Sequence, residues 1–154
     1  MNSGAMRITI LWLHAIGGIA WVGAALIFVI AASAATLEQE DGLAMVRRVA
    51  PVINRIGLGA MLFIVVSGIV NIYIAGTARN FAFSNAFLVV LSAKIALLGA
   101  MYYLLVVSWR TQHELKSRDE EDAAPAARRL IMYNVAIAGC GGIALLLGLW
   151  LLGS

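Results

Sequence analysis

LWLHAIGGIAWVG, residues 11–23, sets a histidine and a tryptophan seven positions apart inside an apolar run, while two further apolar runs carry Asn71 and Lys94. An imidazole in such surroundings can ligate a metal ion or a porphyrin iron. An ammonium there can balance an anionic group beside it. His14, Gly18, Trp21 and Ala25 follow the i, i+4, i+7, i+11 pattern of one helical stripe, and glycine on that stripe admits a flat ligand or another helix. His14 is therefore the candidate metal or cofactor ligand, with Trp21, Lys94 and Asn71 as candidate cofactor contacts. Plainer alternatives stand beside each: an imidazole bonded to a neighbouring carbonyl, a lysine snorkelling to the interface, a tryptophan that packs, and an asparagine in an interhelical hydrogen bond.

The elements that must position these residues follow from composition. Of 154 residues, 62% are hydrophobic and 12% charged, and the mean hydropathy is +0.93, values that exclude an ordinary soluble domain. Crossing a hydrocarbon core takes about 20 apolar residues per helix. Four segments qualify, about 8–33, 52–76, 85–109 and 130–152, which predicts a single all-α domain, a four-transmembrane-helix bundle running up-down-up-down. The AASAA run at 31–35 could mimic a signal cleavage site, but the apolar stretch before it is too long for a signal peptide and reads as a retained helix. Pro51 is expected in the first turn of the second helix, with a short interfacial helix over 42–50 before it and Pro125 in a polar connection.

The formal charge of +3 and the pI near 9.4 reflect topology. Arg47, Arg48, Arg55, Arg110, Lys116, Arg118, Arg128 and Arg129 fall on one side of the expected membrane and Arg7 and Arg79 on the other. The positive-inside rule then places both termini outside and leaves no reason to expect a nucleic-acid partner; the lipid bilayer is the expected surrounding. EDGLAMVRR in the first inner connection and EDAAPAARR in the third share an acidic pair and an arginine pair, and a shift of about 81 lays Trp21 on Tyr102 and brings His14 within one position of Lys94. Two related helix hairpins would produce this, and so would topology alone.

At 1.5 Å per residue, His14 lies about 9 Å and Lys94 about 13 Å below the outer face, with Asn71 at a similar depth. A second polar layer, Asn54, Arg55, Tyr102, Tyr103, Tyr133 and Asn134, is expected near the inner side. His113 is expected in the inner connection, too far from His14 to share a ligand. A single cysteine, Cys140, excludes an intrachain disulfide, and Met61, Met101 and Met132 lie below the level of His14. One chain thus offers no bis-histidine pair for a single haem and no evident cluster for copper. Hydrolase and ATPase chemistry are disfavoured by the lack of a phosphate loop, a carboxylate pair or a nucleophile triad, and no residue is assigned as catalytic.

LHAIGGIAWVGAALIF, then RRVAPVINR, LGAMLFIVVSGI and LVVLSAKIALLGAMYYL, resemble the CopD-like copper-resistance membrane domain. They are also similar to the HemJ-type protoporphyrinogen oxidases, which share the His-to-Trp first helix, the arginine pair and the third-helix lysine. The resemblance covers most of helices one to three and implicates His14, Trp21, Arg47 or Arg48, Gly68 and Lys94. It implies a multi-pass protein of the bacterial inner (cytoplasmic) membrane that binds copper or haem b. Its work would be copper handling or membrane redox chemistry, with quinone as a possible electron partner and a homodimer or larger membrane complex as its setting. Where the oxidase type continues with proline, arginine and a tyrosine-histidine run, this chain has AALIFVIAAS, which favours the CopD-like side. A non-catalytic accessory subunit is the remaining alternative.

Overall fold

A computed structural model describes residues 3–34, 40–117 and 120–153. Four helices account for them: α1 (Ser3–Ala34), α2 (Glu40–Ala78), α3 (Asn85–Ser117) and α4 (Glu120–Gly153). The architecture is an all-α four-helix bundle, and all four helices are long and apolar enough to cross a membrane. The chain is accordingly a multi-pass membrane protein with four candidate spans. Arg118 and the side chain of Arg7, assigned above to sides of the membrane, lie outside the described residues.

Every helix runs past its expected span, and the largest departures are at the basic end. Segments expected as inner connections are helical: 40–51 is continuous with α2, and 110–117 and 120–129 belong to α3 and α4. Pro51 is inside α2, not at its first turn, Pro125 is inside α4, and His113 is on α3. The reason is a core the charges concealed. Leu43, Val46, Ala50 and Ile53 recur at helical spacing on α2 and pack with Ala123, Ala126, Ala127 and Leu130 of α4, Leu115 of α3, and Phe28 and Ala32 of α1. Phe28, Val46, Leu115 and Leu130 are fully buried. Burial on that scale outweighs the backbone hydrogen bond that Pro51 removes.

A second core fills the middle of the bundle, where Trp21 and Ala25 of α1 meet Met101 and Leu105 of α3 and Ile137 and Ala138 of α4. Between the two cores α2 is tied to α3 by a buried polar chain. Asn54 donates to the Gln112 side-chain oxygen at 2.7 Å and accepts from the Ser108 hydroxyl at 3.0 Å. Asn134 donates to its own helix at Leu130 O, 2.9 Å. The expected inner polar layer therefore divides: Asn54 and Asn134 point inward, whereas Arg55, Tyr102 and Tyr103 are exposed.

At the opposite end the α2–α3 connection is a tight turn. Gly76 O accepts from Arg79 N and Phe81 N, at 3.1 and 2.7 Å, and Asn80 and Phe81 take φ of 49° and 59°. That left-handed backbone is costly for a phenylalanine. Its ring is placed over Gly76, where an added Cβ would lie 2.5 Å from Cε1, and edge-on to Phe83, which stacks on Phe87 at 4.7 Å. Ser84 caps α3 by accepting from Phe87 N at 3.3 Å.

Residues 80 apart share their environment. Trp21 and Met101, Ala25 and Leu105, Phe28 and Ser108, Val46 and Ala126, and Asn54 and Asn134 are buried pairwise. The register is one residue shorter than the one suggested by the arginine pairs.

Candidate functional site

His14 lies on the α1 face that meets α2. Its Nδ1 is 2.9 Å from the Ser67 hydroxyl, and a Cβ on Gly68 would lie 3.3 Å from its Cε1. Ser67 is buried and its hydroxyl is 2.7 Å from Phe63 O, one turn back on α2, and 3.3 Å from Ile64 O. A hydroxyl has one proton. With that proton given to the backbone carbonyl, the Ser67 oxygen accepts from His14, so the imidazole carries its hydrogen on Nδ1. The Ile64 backbone carbonyl is a second partner for the ring, and with the proton on Nδ1 the other nitrogen, Nε2, keeps its lone pair. This is the arrangement by which a second residue fixes the tautomer and orientation of a ligating histidine.

Lys94 enters the same layer from α3. It sits over Gly148 of α4, where an added Cβ would lie 3.0 Å from Nζ. Positions 14 and 94, and 68 and 148, are again 80 apart. Each hairpin thus presents one basic side chain laid across a glycine of its own second helix. A methyl added at either glycine would press on that group, so Gly68 and Gly148 belong to the site.

The other candidates are less closely gathered. Trp21 is 2% exposed, packed against Gly57 with Nε1 2.9 Å from the Cβ position there, and belongs to the middle core about 10 Å deeper along α1. Asn71 is half-buried on α2, one turn beyond Ser67. Arg48 is exposed at the basic end, about 30 Å along α2 from Gly68 at 1.5 Å per residue. Cys140 and Met61 pack against the middle core, and Met132 is exposed. Among the described residues no group of three His, Cys, Asp or Glu is placed to hold a metal ion.

Sequence reasoning missed Ser67, Ser108, Thr111 and Gln112, all buried. The SG of IVVSGIV names no partner for the Ser67 hydroxyl, and only the packing of α1 on α2 supplies one. No family model, no curated protein and no solved structure matches the chain.

Proposed function

We propose that the chain is a CopD-like membrane protein that binds haem b through His14 and serves membrane redox chemistry, its basic end facing the cytoplasm as the positive-inside rule requires. The observation that carries this reading is the Nδ1–Ser67 hydrogen bond, which leaves Nε2 as a ligand of fixed direction. Copper would need several soft or imidazole donors, and the described residues supply no such group. A haem would be held by as little as one protein ligand, here the His14 imidazole, so the donor set fits haem better than it fits copper.

A bound haem would supply one-electron chemistry toward a membrane-soluble partner such as a quinone. The chain's own residues do the positioning. Ser67 holds the imidazole against rotation, and Gly68 lets the ring lie flat on α2. Lys94 offers a positive charge to an anionic substituent within a layer where uncompensated charge is costly. Arg48, distant along α2, is an anchor at the basic end.

The test is an absorption spectrum of the detergent-purified protein, as isolated and after dithionite. A Soret band with reduced α and β bands is expected, absent in His14→Ala and retained in His113→Ala. A His14→Ala protein with the wild-type spectrum overturns the reading.

A further inference from the structure

The α2–α3 seam is the most open in the bundle. At the basic end it holds a cavity of about 300 Å³ lined by Leu58, Tyr102, Leu105, Val106, Trp109 and Arg110. All but Leu58 lie on α3, at positions i, i+3, i+4, i+7 and i+8 of one helical stripe, so the groove runs about 12 Å along the helix axis. Its floor is aliphatic and aromatic. Its end is a guanidinium.

The register of 80 relates this seam to the α1–α4 seam. In that register Leu58, Tyr102, Leu105, Val106, Trp109 and Arg110 correspond to Ala138, Val22, Ala25, Leu26, Val29 and Ile30. On the α1–α4 seam the small side chains let the helices close: Ala25 and Ala138 are buried, and Val22 reaches directly against Gly141. On the α2–α3 seam Leu58 and Leu105 stand in place of those two alanines, and an arginine replaces an exposed isoleucine at the end of the stripe.

Arg110 is exposed and makes no ion pair among the described residues. The carboxylate four residues on, Glu114, reaches across to Arg129 of α4 at 3.6 Å instead. Trp109 donates its indole N–H to His113 at 2.9 Å, which fixes the ring beside the groove. An apolar trough that faces hydrocarbon and ends in a fixed aromatic and an unpaired guanidinium at the membrane boundary matches an amphiphile with an anionic head.

We infer that this groove binds an anionic phospholipid of the leaflet at the basic end, its acyl chain along Leu58, Tyr102 and Val106 and its phosphate on Arg110. The inference depends on membrane residence and not on the haem reading, so the two fail separately.

The full chain is reconstituted with phosphatidylglycerol or phosphatidylcholine brominated on the acyl chains, and Trp109 quenching is read as wild type minus Trp109→Phe. Half-quenching is expected at an about fivefold lower mole fraction of the anionic lipid. Arg110→Gln should erase that preference while the acyl bromines still quench, and Arg110→Lys and Lys116→Gln should keep it. Equal quenching by the two lipids in wild type overturns the proposal. So does a preference lost as fully in Lys116→Gln, which would mean diffuse surface charge, or one abolished by millimolar inorganic phosphate, which would mean a headgroup site without a chain.

Discussion

The imidazole of His14 owes its direction to a serine. Ser67→Ala removes the side-chain acceptor for Nδ1–H and loosens the ring, leaving it the Ile64 backbone, while the carbonyl that Ser67 caps already serves its own helix. Loss of such a supporting hydrogen bond costs about 10- to 100-fold in cofactor affinity. Haem titration of Ser67→Ala should therefore show weakened binding with the folded helix content unchanged by circular dichroism. The histidine, the lysine and the stripe through Gly18 were legible in the sequence because ionisable groups are conspicuous among apolar neighbours. Ser67 was not, since a serine within a span is ordinary until a partner 53 positions away is placed beside it. Trp21 was legible as a stripe residue, yet periodicity cannot separate a ring that lines a site from one that packs on Gly57.

At the scale of elements, charge and burial compete for the same segments. EDGLAMVRR and EDAAPAARR read as connections because their ends are charged, yet between those ends lie Leu43, Val46, Ala126 and Ala127 at helical spacing, and all four are buried. Phe28, at 0% exposure, is the largest side chain of that end core. Phe28→Ala should lower stability by about 3–5 kcal/mol, read as a fall in the thermal midpoint in detergent. The opposite end stores its constraint in the backbone. Asn80→Gly removes the cost of a left-handed residue and should raise stability by up to about 1 kcal/mol. Gly76→Ala should lower it, because the Phe81 ring occupies the space a methyl would need. The four spans themselves were plain from hydropathy, whereas helix ends depend on packing partners that a window of sequence does not contain.

For the whole molecule, the seams are unequal: α1 packs closely on α2 and α4, and α3 on α4, while α2 and α3 are held by the Asn54, Ser108 and Gln112 chain. Asn54→Leu would leave Ser108 and Gln112 without their partner inside the seam, at a cost of about 1–3 kcal/mol. Crosslinking between cysteines placed across α2 and α3 should become less efficient in that variant, and unchanged efficiency would mean that the seam is held by other contacts. The core at the basic end has a consequence for biogenesis. It draws on all four helices, but its α4 share, Ala123 to Leu130, emerges only after the first three helices are made. A chain without α4 would leave Phe28, Leu43 and Val46 bare of those contacts, an apolar surface with no covering helix.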